Sequence, residues 1–299
     1  MCRGLSFAMD PGKYCEQKVA RSGSDLYYAL LSLPPAQRRA IAAAHALRSE
    51  LADVVEKVSD AGLSRIKLDW WRREIEQLRV GSPSHPVTRS LWSAVGEATL
   101  PVEPLRRMID ATEADLARPT FPSFAELERH CRQTAGSLQL WCAELLGYDH
   151  RQTRSCAERL GIAMELADRL CSVRDDVRRG RLYLPQDKLA ELRIDPGSLA
   201  AASFAAPAVR ELFHLQAERA RDLFRSALRS LPPQDRYRQR SGTILAALRR
   251  ELLDEIEADG YRILEHRIEL TAVRKLWIGW KTERRERLAQ RLRDKGLAR

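Results

Sequence analysis

Glu165, Asp168, Ser172 and Asp176 recur at steps of three and four residues inside the stretch 161–185, GIAMELADRLCSVRDDVRRGRLYLP. On a helix that spacing stacks them along one face, so an otherwise apolar helix carries a polar, acid-bearing stripe. A second acidic segment, 45–56, places Asp53 and Glu56 three apart on a shared helical face, while Asp168, Asp175 and Asp176 flank Ser172 in the first. Two facing acid-bearing helices can hold Mg²⁺ against a substrate diphosphate, because Mg²⁺ takes a few carboxylates and completes its coordination with phosphate oxygens. The competing reading is a set of salt-bridged faces, in which Asp53 and Asp176 pair with Arg178, Arg249 or Arg250 instead of a metal.

The elements that would position these side chains are all helical. A helix capped from Ser22-Gly23-Ser24 is expected from Asp25 to the Pro34-Pro35 stop, and Pro35 opens the next, over 35–58. Further helices are expected at 63–78, 86–97 and 103–117, then a turn at Pro119 and Pro122 with Ser123 as N-cap of one long helix to Leu146. The acidic stripe lies on a helix over 151–178, short proline-punctuated elements fill 186–205, and helices follow at 207–230, 241–265 and 274–294. Period-two alternation and Asn-Gly turns are missing, so the expectation is an all-α, single-domain fold. Trp70 and Trp71 are adjacent, which turns one inward and the other to the surface.

Composition narrows the classes. The 299 residues are 44% hydrophobic and 31% charged, enough for a large core and too ordered a pattern for global disorder. Charges interrupt every apolar run before it reaches the length of a membrane span, and no signal peptide is read at the N-terminus, so the default location is cytoplasmic. The six cysteines are scattered without Cys-x-x-Cys pairs, which argues against a metal cluster or disulfide framework. No dinucleotide-binding glycine motif, Walker loop or nucleophile elbow occurs. Of the net charge of +10, residues 274–299 hold ten Lys/Arg against three Asp/Glu, a local +7. Leu276, Trp277, Ile278 and Trp280 precede that run, a pattern suited to anionic lipid headgroups at the inner face of a membrane. No nucleic-acid-binding motif accompanies it.

Several blocks in order resemble the squalene/phytoene synthase family, and within it the bacterial presqualene-diphosphate-synthase branch. They are Tyr27-Tyr28 through Leu33-Pro34-Pro35, Lys67 to Arg72, His85-Pro86-Val87-Thr88, Ala135-Gly136, Arg178-Arg179-Gly180-Arg181-Leu182-Tyr183-Leu184-Pro185, Leu252 to Glu257 and Val273 to Trp277, spanning about 13–282. The resemblance implies an isoprenoid-synthase helical fold with a central cavity over residues 1–282, followed by a basic C-terminal tail, 283–299. It also implies head-to-head condensation of isoprenyl diphosphates such as farnesyl diphosphate, toward presqualene diphosphate or squalene. In that chemistry Mg²⁺ neutralises the departing diphosphate and a dry cavity shelters the allylic cation. Asp53, Glu56 and Asp176 become the implied metal ligands, with Asp168 and Asp175 completing the catalytic acids. Tyr27, Glu165, Arg181 and Tyr183 become implied substrate contacts. NADPH is a further cofactor of the reaction class, with no sequence motif here to hold it.

The departures from the family pattern are as informative as the matches. Where the family's first motif reads Asp-Asp-x-x-Asp, this chain has Ala52-Asp53-Val54-Val55-Glu56; where its second reads Asn-x-x-Arg-Asp-x-x-Glu-Asp, this chain has Asp168-Arg169-Leu170-Cys171-Ser172-Val173-Arg174-Asp175-Asp176. Ser49 and Cys171 stand where the resemblance implies phosphate-binding arginines, removing bidentate contacts that serine and cysteine cannot supply. Gln139, His130, Arg249 and Glu165 replace a glycine, two tyrosines and a glutamine of the implied cavity wall. Three readings follow. One is an active transferase using Asp53, Glu56, Asp168, Asp175 and Asp176. The second is a family member with weakened or lost catalysis that binds isoprenoids or assembles a membrane complex. The third is a basic membrane-surface interaction protein.

Overall fold

Caps and prolines set where the helices begin. Asp10 accepts the Lys13 amide at the start of α1 (Pro11–Val19), and Ser24 accepts the Tyr27 amide at the start of α2 (Asp25–Leu30). Pro35 opens α3 (Pro35–Lys57), Asp60 caps α4 (Ala61–Arg79), and His85 caps α5 (Pro86–Val95). α6 (Glu103–Asp115) and α7 (Phe124–Cys131) follow; a π-helical turn, Arg132–Gly136, joins α7 to α8 (Ser137–Leu146). Next come α9 (Gln152–Arg178), α10 (Gln186–Glu191) and a 3₁₀ turn, Pro196–Ala201. The chain closes with α11 (Pro207–Ser230), α12 (Pro233–Arg236), α13 (Arg240–Ala258) and α14 (Ala272–Asp294). This computed structural model describes residues 9–58, 60–96, 101–117, 120–201 and 206–296; Pro119 of the expected turn, residue 97 and positions 202–205 lie outside them. Among the described residues there is no strand, and the all-α expectation holds; one isolated bridge joins Phe121 to Pro185.

α9 is the central element. Leu160 through Ala167 are buried consecutively, so this stretch is covered on every side rather than along one stripe. α11, α8, the π turn and α13 pack around it. α3 is similarly lined with small residues, Ala40 and Ala42 through Ala44, which let neighbouring helices approach closely. Trp71 is buried and Trp70 stands 38% exposed, as their adjacency requires.

Three expectations change. The single helix expected from Ser123 to Leu146 is broken by the π turn, which places the Ala135 carbonyl where any side chain at Gly161 would sit: a Cβ there would lie 2.2 Å from the Ala135 oxygen. The helix expected over 241–265 stops at Ala258, because Gly260 and Tyr261 turn left-handed and the Tyr261 amide bonds back to the Ile256 carbonyl at 2.9 Å. α1 was not expected at all; it buries only Gly12 and Cys15, too little to leave an apolar stripe in the sequence. The C-terminal helix crosses position 282 unbroken, with Glu283 and Glu286 buried on its inner side.

Candidate functional site

The chain fastens α9 at both ends. At its start, the fully buried Asp235 carboxylate accepts the Asp149 amide at 2.7 Å, the His150 amide at 3.1 Å and the Thr153 hydroxyl at 2.5 Å. Burial raises that carboxyl, but these donors outweigh it and hold it below the usual range. At the other end the Arg181 guanidinium donates to the Val55 carbonyl of α3 at 2.9 Å, and the Gln186 amide donates to the Phe121 carbonyl at 2.8 Å. Tyr183 is thereby stacked on Phe121 and set beside His130.

Between α3 and α9 these constraints assemble an ion network. Glu165 is 1% exposed and accepts from Arg48 of α3 and, at 2.9 Å, from Nε of Arg169 one turn along its own helix. Arg169 reaches Asp176 at 3.6 Å and lies 3.7 Å above the Tyr183 ring. The Ser172 hydroxyl donates to Asp176 at 2.9 Å, and His130 Nε2 sits 3.5 Å from Asp115. Burial alone would push the Glu165 carboxyl up, but the Arg48 and Arg169 charges hold it at about 2. Burial does raise the Asp115 and Asp176 carboxyls, against the pull of the cations facing them. The space left at this centre is about 60 Å³, lined by Arg48, Ala52, Glu56, Glu165, Arg169 and Tyr183 among others.

The opposite side of α9 faces a separate cleft of about 580 Å³. Asp168, Cys171, Ser172 and Asp175 line it, and none of its lining residues borders the central space. Arg249 of α13 bridges Asp168 to Asp25 of α2, and Lys275 of α14 completes Asp25 at 2.8 Å. Arg267 pairs with Glu269 at 2.6 Å. The cleft is lined by four acids and four bases, and burial pushes one of the acids, Asp168, up to about 7.

The stripe read from the sequence is therefore split by the tertiary structure. Glu165 and Asp176 meet at Arg169, whereas Asp168 turns to Arg249 and Asp175 into the cleft. Asp53 faces neither: it pairs with Lys18 of α1 at 2.8 Å and Lys57 at 3.0 Å, which correct the arginine partners expected for it. Asp176 likewise takes Arg169 rather than Arg178, Arg249 or Arg250. Glu56 borders the central space, 3.9 Å from Arg179. Tyr27 packs edge-to-face on Tyr28, and its neighbours Ser24, Asp25 and Leu26 line the cleft. Arg181 and Tyr183 border the central space. Sequence reasoning missed Arg169 and Lys18. The first was visible as a helical i,i+4 pair with Glu165; the second left no signal, because α1 did not.

These surroundings do not fit Mg²⁺. Asp53, Asp168 and Asp176 each already face a cationic side chain, Ser172 contributes a hydroxyl already given to Asp176, and among the described residues no three His, Cys, Asp or Glu side chains gather around one point.

Known proteins share this architecture. The chain is 28% identical to 15-cis-phytoene synthase of Synechococcus elongatus over 286 residues, covering 92% of each protein, and 29% identical to phytoene synthase of Arthrospira platensis over 274 residues, covering 86% of this chain and 87% of that one. A solved dehydrosqualene synthase superposes with a TM-score of 0.82 at 21% identity, covering 93% of this chain and 97% of that one. Squalene synthase HpnC from Alicyclobacillus acidocaldarius superposes at 0.72 and 22%, covering 84% of this chain and 95% of that one. The fold is theirs, and the family model for squalene/phytoene synthase matches residues 19–274, from the end of α1 to the first turn of α14: the chain belongs to the squalene/phytoene synthase family.

Proposed function

We propose that this protein is a squalene/phytoene synthase-family member that has lost head-to-head condensation of isoprenyl diphosphates and uses the helical scaffold for binding. The observation that carries the reading is the Arg48–Glu165–Arg169 network across the space between α3 and α9. It leaves about 60 Å³ between α3 and α9, below the roughly 300–1,000 Å³ of small-molecule pockets; the 580 Å³ cleft shares no lining residue with that space and lacks Asp53, Glu56, Glu165 and Arg169. The substitutions support one another: Glu165 brings a charge that draws Arg48 inward, and Arg249 takes up Asp168. Carboxylates that would meet a metal and a leaving group meet arginine and lysine instead. The test is incubation of the purified chain with farnesyl or geranylgeranyl diphosphate and Mg²⁺, with and without NADPH, following diphosphate release and coupled products. The reading expects no release above a protein-free control; steady turnover overturns it.

A further inference from the structure

The C-terminal helix is built inside out. Apart from Ile278, its inner face is small and polar: Gly279 approaches the Tyr28 carbonyl, and the buried Glu286 is held by Arg236 at 3.0 Å. Arg287 folds back along the helix onto the buried Glu283, with its Nε at 2.7 Å. Its outer face is apolar and aromatic. Of the twelve large hydrophobic side chains exposed among the described residues, six lie on α14: Val273, Leu276, Trp277, Trp280, Leu288 and Leu292. Val273 is 78% exposed and each tryptophan 53%. Steps of three and four run from Val273 through Trp277, Trp280, Arg284 and Leu288 to Arg291, so these residues form one outward strip.

The strip is positively charged along its length. Lys281 Nζ lies 4.6 Å from the Trp277 ring centroid and the Arg284 guanidinium 5.1 Å from that of Trp280. Neither cation has a carboxylate within ion-pair distance among the described residues; Glu283 and Glu286 are turned inward, and the exposed Asp294 sits at the far end of the helix, bonded by Gln290. Among the described residues no helix is long and apolar enough to cross a membrane. We infer that α14 lies in the plane of an anionic phospholipid surface, with Trp277 and Trp280 at headgroup depth and Lys281, Arg284 and Arg291 on the lipid phosphates. Tryptophans favour that interfacial layer, and each basic residue adds attraction to anionic lipid. Charge decides against the other occupants. A second copy would set two cationic strips against each other, and protein interface cores are depleted in charges such as Lys281, Arg284 and Arg291, which accompany the apolar side chains here.

The experiment uses the full chain with vesicles of phosphatidylcholine alone or phosphatidylcholine mixed with phosphatidylglycerol, read by co-sedimentation and by tryptophan emission. The expected result is binding to the anionic vesicles only, with a blue shift, weakened by added salt. Trp277→Ala with Trp280→Ala, and separately Lys281→Glu with Arg284→Glu, should each weaken binding at least tenfold while leaving the circular dichroism unchanged, since all four side chains point to solvent. Binding that ignores lipid charge, absence of binding, or variants that bind like wild type overturn the inference. A wild-type dimer that the tryptophan variants convert to monomer also overturns it, and assigns the strip to self-association. Neither result depends on turnover of isoprenyl diphosphates.

Discussion

The Arg48 guanidinium on α3 donates to the Glu165 carboxylate on α9, 117 positions along the chain, and the acceptor is almost completely buried. A carboxylate so placed is stable only while its cations stay. The pair therefore ties α3 to α9 across the space between them.

Glu165→Gln leaves the Arg48 and Arg169 guanidiniums without their shared anion. Removing one partner of a buried pair costs about 3 kcal/mol, so urea unfolding should show a clearly lower midpoint. Arg48→Gln combined with Glu165→Gln should cost less than the sum of the singles, because the two charges vanish together. Additive losses would show that the pair is not coupled.

Two buried groups should each lose stabilising power in acid, over different pH ranges. His45 has a buried, unpartnered Nε2, and burial lowers it from 6.5 to about 3. The unfolded chain thus binds that proton while the folded one does not, and stability declines as pH falls below 6.5. Glu165 is held at about 2 against 4.5, so its contribution is complete above 4.5 and lost as pH drops toward 2. Burial raises the Asp168 carboxyl from 3.8 to about 7, which acts in the opposite sense between those values, so the contributions are read by difference in unfolding midpoints. Relative to His45→Gln, wild type should lose stability as pH falls below 6.5; relative to Glu165→Gln, it should lose stability only below 4.5.

Gly161→Ala tests the close approach of α9 to the π turn. The added methyl would meet the Ala135 oxygen at 2.2 Å and the Gly136 Cα at 2.8 Å, both backbone atoms that cannot swing aside. A loss of about 3 kcal/mol is expected, read as a lowered melting temperature. Gly242→Ala is the control, since its nearest neighbour would be the Leu160 side chain at 3.6 Å.

Mg²⁺ should leave the melting temperature where it is, and chelator likewise, because a ligand stabilises only through a site it binds in the folded state. Calorimetry should detect no saturable heat. A rise in melting temperature that saturates with Mg²⁺ would show that Asp53, Asp168 or Asp176 releases its cation in favour of the metal.

Much of the architecture was already legible in the order of residues. Apolar spacing placed α3, α4, α9 and α11 within two residues of their ends, and Pro35 and Ser24 marked starts that depend on local backbone chemistry. The short α1 escaped because burying two small residues leaves no periodic signal. The stop after Ala258 escaped because the decisive event is the left-handed turn at Gly260 and Tyr261.

The acidic stripe marks the boundary between what each level decides. Residue types and their three-and-four spacing determined by themselves that Glu165, Asp168, Ser172 and Asp176 share a helix, since helical geometry is local. Which partner each one meets depended on elements distant in sequence: Arg48 on α3 for Glu165, Arg249 on α13 for Asp168, and Lys18 on α1 for the Asp53 once paired with them as a metal ligand. Charge interactions fall off over a few ångströms and act through space, so only the packed fold could turn a row of carboxylates into a set of closed ion pairs.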